Sequence, residues 1–288
     1  MLEGGAFRGV YSSGVLDALM ESGVNLECTV GVSAGAINGL NYVSGQIGRS
    51  IRVNLTYRHD SRYVGMGAMR KNQGIIGFDF LFQTLEETDP FDSRRFFAEN
   101  RRFVAVAANC ITGNAAYLEK GKCADIFQAV RASASMPFFS KPVWVEGMPY
   151  LDGGCADSIP YRWAMNQGYK KILVVRTRPA AFRKKPNIKV ADIVGHLLYL
   201  EYPTFSAVLG GRVSHYNRQC DEVERLAQKG RVLMIAPSKD LRVSRLEPDL
   251  EKLKALYALG YEDTQAQMNE IKRYLGIDPP TNICTSEV

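Results

Sequence analysis

At 288 residues, with 46% hydrophobic and 23% charged side chains, the chain has the make-up of a soluble globular protein holding one large α/β domain or two small ones. No apolar run approaches the roughly 18 residues that a membrane-spanning helix needs, and Met1-Leu2-Glu3-Gly4 has neither the basic nor the apolar region of a secretory leader. A net charge of only +6 calls for no nucleic-acid partner and suits an anionic membrane surface and a soluble basic enzyme equally, while six scattered cysteines without a C-x-x-C pair argue against disulfides or zinc and for a reducing cytoplasm.

Glu3-Gly4-Gly5-Ala6-Phe7-Arg8-Gly9 comes first, a glycine-rich loop opening a helix with the apolar stripe Val10, Leu16, Leu19 and Met20. Gly23 is placed to end that helix. A Walker A loop requires Gly-Lys-Ser/Thr where this chain has Gly9-Val10-Tyr11, and a dinucleotide fingerprint requires G-x-G-x-x-G where the glycines here fall at 4, 5 and 9. The remaining role is an oxyanion hole, in which consecutive glycines turn backbone N–H groups into one cavity. Only Met1, Leu2 and Glu3 precede the loop. The sequence therefore predicts either a very short first strand, with the loop on a frayed edge, or a natural chain that begins further upstream.

The next strand, Leu26–Val30, runs into Gly31-Val32-Ser33-Ala34-Gly35 and a small-residue helix over 34–44. Strand, G-x-S-x-G and helix in that order form the context of a nucleophile elbow. The turn is tight enough to strain Ser33, and it requires Gly31 and Gly35 because a Cβ at either place would collide across it. The helix begins directly behind the serine, so its unpaired N–H groups face any charge that develops there.

The stretch 47–100 is less regular, with Arg49, Arg52, Arg58, His59, Arg62 and Arg70 among aromatics, then the apolar run Ile75–Phe82. A substrate-facing insertion and a solvated connection with one buried helix both fit it. Phe103–Ala108 is a buried strand with a hairpin partner at Ala115–Leu118, and Cys123–Ala134 a helix. Val143–Val145 and Tyr150-Leu151 form a second hairpin. Asp152-Gly153-Gly154 follows at once, either an ordinary turn or a carboxylate brought against another backbone. A helix near 160–167 and the strand Lys171–Val175 come next. The basic loop Arg176, Arg178, Arg183, Lys184 and Lys185 suits phosphate head groups or plain solvation. A helical region over 188–218, a separate segment Asp221–Lys229, a last strand Arg231–Ile235 and two helices at 248–258 and 261–274 complete the chain. Alternating strands and helices imply one mostly parallel sheet.

A serine hydroxyl needs a base, and the chain has three histidines, His59, His196 and His215. Ser33, Asp152 and His196 or His215 keep the order of an α/β-hydrolase triad. Against it, too little chain precedes Ser33, and the histidines lie in ordinary helical surroundings. Asp152 is the other base, since a carboxylate beside a serine accepts its proton once partial desolvation raises its basicity.

Gly4-Gly5-Ala6-Phe7-Arg8-Gly9, Gly31-Val32-Ser33-Ala34-Gly35 and Asp152-Gly153-Gly154, with Ala132–Phe139 ahead of the last, together resemble the patatin-like phospholipase family over residues 1–178. The resemblance implies a three-layer α/β/α fold with a central mostly parallel sheet and lipid acyl ester hydrolysis. It implies Ser33 as nucleophile, Asp152 as base, and Gly4, Gly5, Ala6, Arg8 and Gly9 as the oxyanion loop, with Gly31 and Gly35 shaping the elbow and Gly153 and Gly154 following the acid. No metal or organic cofactor is implied. Ala6 stands where the family often has a third glycine, and Arg8 suits support of the loop, a substrate phosphate or a structural ion pair. Residues 179–288 are expected to be a mostly helical extension packed on the same domain. The rival outcome is a catalytically silent lipid- or acyl-binding module.

Overall fold

The computed structural model of the chain describes residues 1–98, 100–185 and 197–277. Its strands are β1 Cys28–Val32, β2 Arg102–Asn109, β3 Ala115–Glu119, β4 Val143–Val145, β5 Met148–Asp152, β6 Leu173–Val175 and β7 Leu233–Ile235. The helices are α1 Val10–Glu21, α2 Ala34–Val43, α3 Arg49–Tyr57, α4 Met66–Asn72, α5 Phe78–Phe82, α6 Ser93–Ala98, α7 Ile126–Ser133 and α8 Tyr161–Asn166, then α9 Pro203–Gln228, α10 Leu250–Ala266 and α11 Met268–Leu275.

Two strands share one edge of β2. β3 runs antiparallel along Val104–Ala108 on one side. The other side carries β1, parallel, as far as Val32 opposite Val106. It then carries β5, antiparallel, starting with Asp152 opposite Ala107. The C-terminal ends of β1 and β5 therefore meet head to head, which sets the residue after Val32 against the residue that ends β5.

Residues 1–3 do not fray. The Leu2 N–H donates to Val30 O (2.8 Å) and Val32 N–H to Leu2 O (3.1 Å), while Glu3 N–H donates to Val175 O and Val175 N–H to Met1 O. This short segment is a parallel bridge between β1 and β6, and it joins the β6–β7 pair to the rest of the sheet. The expected edge is the middle of the sheet. The sheet is parallel from β2 across β1, Leu2 and β6 to β7, and antiparallel where β3 and β5 meet β2 and β4 meets β5.

Alternation along the buried strands feeds both faces, as a sheet covered on each side requires. Val30, Val32, Val104, Val106 and Val174 pack with Tyr161, Tyr216 and Val223 of α8 and α9. On the opposite face, Phe103 and Ala105 meet Leu40 and Val130 of α2 and α7. Leu2, Leu173 and Val175 meet Leu16, Leu256 and Ile271 of α1, α10 and α11.

The C-terminal stretch departs from the sequence expectation in two places. α9 runs unbroken where a helix and a separate segment were expected, although residues 186–196 lie outside the described ones. Residues 248–274 hold a long helix and a short one, not two similar ones. Gly260 does not end α10: a Cβ there would lie 2.1 Å from Tyr11 O, and one on Gly14 would lie 2.1 Å from Tyr257 O. These glycines let α1 and α10 touch backbone to backbone. The strand expected at 231–235 is present as β7, so the last strand of the sheet is built by the extension.

Candidate active site

Ser33 is the one residue between β1 and α2, at φ 56° and ψ −122°. That backbone conformation is sparsely populated for a residue with a Cβ, and the neighbours enforce it. A Cβ on Gly31 would lie 2.5 Å from Ala36 N, and one on Gly35 would lie 2.5 Å from Leu2 O. Ser133 adds a support that the sequence reading missed. Its Oγ accepts the Ser33 N–H (2.9 Å) and donates to Val106 O (2.6 Å), tying the elbow to β2. The segment around Ser133 stood out in the sequence, but nothing local marked this hydroxyl for the task.

Asp152 arrives from the end of β5. Its Oδ2 accepts the Ser33 hydroxyl at 2.6 Å, and its Oδ1 accepts the Gly154 N–H at 2.7 Å. Gly153 lets this turn press against β2, since a Cβ there would meet Val106 O at 2.1 Å. Ser33 is 6% exposed and Asp152 8%. Burial pushes the Asp152 carboxyl above its ordinary pKa. The bonds from Ser33 and Gly154 and the charges of Arg212 and Arg245 oppose that shift without cancelling it. A desolvated carboxylate held on a hydroxyl is a stronger base than one in water.

No histidine stands between the pair among the described residues. His215, on α9, lines neither cavity beside Ser33, and His196 lies outside the described residues. The pair is a direct Ser–Asp contact.

The glycine loop lies over the elbow, with Gly4 packed against Ser33. Its carbonyls are turned onto side chains. Thr177 Oγ1 donates to Gly4 O (3.1 Å), Arg8 Nε to Gly5 O (3.3 Å) and Asn38 Nδ2 to Gly9 O (2.7 Å). The Phe7 N–H is used by Arg245 O. Among the described residues the N–H groups of Gly5, Ala6 and Ala34 have no acceptor. Ala6 sits at φ 50°, where an alanine costs about 1–2 kcal/mol that a glycine would not. Arg8 forms no salt bridge among the described residues. Burial, then Arg178 and Arg245, push its pKa down to about 10.

Two cavities open on Ser33, and Ala6 and Met136 line both. One is a narrow apolar slot of about 50 Å3 walled by Phe7, Val10, Ile37, Tyr63 and Ile76. Tyr63 and Ile76 come from the stretch 47–100, which therefore faces the site. The other, about 660 Å3, takes in Asp152 and a set of basic side chains. The loop 176–185 is not simply solvated. Arg176 is fully buried, bonded to Tyr216 Oη (3.2 Å) and 3.7 Å from Glu3. Arg183 bridges Asp221 (2.7 Å) and Glu224 (3.0 Å).

Comparison with known proteins gives two family matches. Residues 1–165 match the family described as patatin-like phospholipase, and residues 202–276 match a domain of unknown function, DUF6363. The chain is 26% identical over 269 residues to the Escherichia coli (strain K12) protein named "Uncharacterized protein YjjU", covering 90% of this chain and 73% of that one. It is also 27% identical over 170 residues to "Lysophospholipase nte1" of Aspergillus terreus, covering 55% of this chain and 10% of that protein. The namesake from Emericella nidulans matches at 26% over the same share. The chain thus spans about a tenth of the fungal proteins' length.

Proposed function

Because the chain belongs to the patatin-like phospholipase family, we propose that it is a lipid acyl hydrolase working through Ser33 and Asp152. The observation that carries this reading is the 2.6 Å bond from the Ser33 hydroxyl to Asp152 Oδ2, at an elbow between two cavities of opposite character. Ser33 Oγ attacks the ester carbonyl while its proton passes to Asp152. The N–H groups of Gly5 and Ala6, with that of Ala34 at the start of α2, receive the oxyanion. The alcohol leaves with the proton from Asp152, which then activates the water that frees the acyl group. No cofactor enters this scheme.

A fluorophosphonate probe reacts only with an activated serine, so it separates this enzyme from a silent binding module. Labelling confined to Ser33 and undiminished in His215→Ala is the expected result. No labelling of folded protein would leave the binding module standing, and loss of labelling in His215→Ala would restore the triad.

The same reading includes peripheral contact with an anionic bilayer. No helix among the described residues is long and apolar enough to cross a membrane. Phe138 and Phe139 are half exposed at the larger cavity, and Leu197, Leu198 and Leu200 are about 60% exposed near them, since Phe138 packs on Tyr199. Such a rim beside basic side chains is what a lipid surface receives. The protein is expected to pellet with anionic vesicles at low salt and to be released near 1 M, where the screening length falls to about 3 Å. Failure to pellet at low salt would remove the proposed contact.

A further inference from the structure

The glycine loop is gripped from outside the stretch that matches the phospholipase family. Residues 236–249 link β7 to α10 and lie within the DUF6363 match. Three consecutive carbonyls of this segment are directed at the loop and at α3. Arg245 O accepts the Phe7 N–H (3.1 Å). Arg58, at the end of α3, reaches the next two: its Nη2 donates to Leu246 O (2.7 Å) and its Nε to Glu247 O. The same guanidinium lies over the Phe7 ring, 4.5 Å from its centroid. Among the described residues Arg58 has no carboxylate within salt-bridge distance, so its donors serve main-chain carbonyls.

The segment is itself fixed at both ends. Val243 is buried in the core with Leu256 of α10. The buried Glu247 carboxylate accepts the Ser244 N–H (3.0 Å) and the Asp249 N–H (3.3 Å), and Asp249 caps α10 by accepting from Glu251 and Lys252. What it grips is the strained residue of the loop. The φ and ψ of Ala6 set the angle between two peptide planes. The Gly5–Ala6 plane is held by Gly5 O, which accepts the Arg8 N–H (3.2 Å) and Arg8 Nε (3.3 Å). The Ala6–Phe7 plane is held by the Phe7 N–H on Arg245 O. A backbone at φ 50° persists only where its surroundings over-determine it, and one of the two holds comes from the C-terminal extension.

We propose that residues 243–247 are a strap that holds the glycine loop in the conformation presenting the Ala6 N–H to the oxyanion, and that Arg58 is the positioning residue that pins the strap. The inference rests on the acyl-hydrolase reading above. Arg58 acts through Phe7 and the strap and touches no reacting atom. Without it, Phe7 loses the cation over its ring and the strap loses two of its three bonds to the body of the protein. Ala6 then relaxes from φ 50°, and its N–H turns away from the place where charge develops. The extension thus has a part in catalysis while supplying no group to the chemistry.

The test uses the whole chain, a short-chain nitrophenyl ester and an alkyl trifluoromethyl ketone. Ser33 Oγ adds to the ketone carbon, its proton passes to Asp152, and the carbonyl π pair becomes an oxyanion in the loop, so the inhibition constant reads the loop in a stable adduct. Arg58→Ala is expected to lower kcat about tenfold or more with little change in KM, and to weaken the ketone by the same factor. Arg58→Lys, which keeps a cation and one donor, should recover part of both. Glu247→Ala should act in the same direction, and the double variant should lose far less than the product of the single losses, because both act through one strap. Arg62→Ala, an exposed arginine of the same insertion that stacks on Phe80, should change neither quantity. Unchanged kcat and inhibition in Arg58→Ala, or a loss of kcat with undiminished ketone affinity, would overturn the proposal. Hydrogen exchange over residues 4–9 reads the strap without turnover: faster exchange in Arg58→Ala is expected, and unchanged exchange would overturn the strap. Wild-type protein inert to ester and ketone alike would instead fail the acyl-hydrolase reading, and with it the part given to the Ala6 N–H.

Discussion

Ser33→Ala is expected to lower kcat/KM on a short-chain nitrophenyl ester by about 10⁴-fold or more, the scale on which a lost nucleophile is felt. The substitution removes one oxygen and leaves the elbow intact. Alanine occupies the same backbone conformation, Ser33 N–H still has Ser133 Oγ, and Gly31 and Gly35 still clear Ala36 and Leu2. A folded variant with unchanged circular dichroism and no turnover is therefore the outcome to look for. Residual rate from the oxyanion loop alone would survive at the level of weak catalysis. Wild-type turnover in Ser33→Ala would mean that another group attacks the ester.

Asp152→Asn is the second large effect and the more informative one. The amide keeps the shape and still accepts the Gly154 N–H, but it cannot take the serine proton, and a loss of about 10³-fold or more follows. Burial raises the Asp152 pKa, so wild-type activity should fall on the acid side at a pH above the ordinary carboxylate range. The same shift has a consequence for stability. A carboxyl that is harder to ionise in the folded protein favours folding while it is protonated, and that contribution is lost as pH rises through the folded pKa. Asp152→Asn, neutral throughout, is thus expected to melt at a higher temperature than wild type at neutral pH. The difference should vanish in acid. Thermal scans across the acid range measure it, and an asparagine variant less stable than wild type at neutral pH would contradict a net cost of burying this charge. An acid limb within the ordinary carboxylate range would place the essential base elsewhere.

Much of this site is legible along the chain because its requirements are local. A one-residue turn needs glycine two positions either side of Ser33, and an acid pressed against a neighbouring strand needs Gly153; both leave their mark within a few residues. Outside 47–100, where the sequence assigned no element and the structure holds α3 to α6, the strands and helices up to Val175 are readable for the same reason, since period-two runs and turn residues are short-range patterns. What brings Ser33 and Asp152 together is not local. It is the registry by which β1 stops opposite Val106 and β5 begins opposite Ala107, a pairing of stretches far apart in sequence. Leu2 reads as a frayed end until its partners Gly31 and Val175 are seen on either side. The helix expected to stop at 258 runs on to Ala266, with Gly260 set against Tyr11.

The sequence by itself singled out Ser33, Asp152 and the glycine loop, which we propose as nucleophile, base and oxyanion hole, and the alternation that builds the sheet, because each is written in neighbouring residues. Only the tertiary structure decided which arginines are neutralised and which face the cavity bare. A cation's partner is whatever carboxylate the fold sets beside it: Arg183 bridges Asp221 and Glu224, while its neighbour Lys184 has no carboxylate within salt-bridge distance among the described residues.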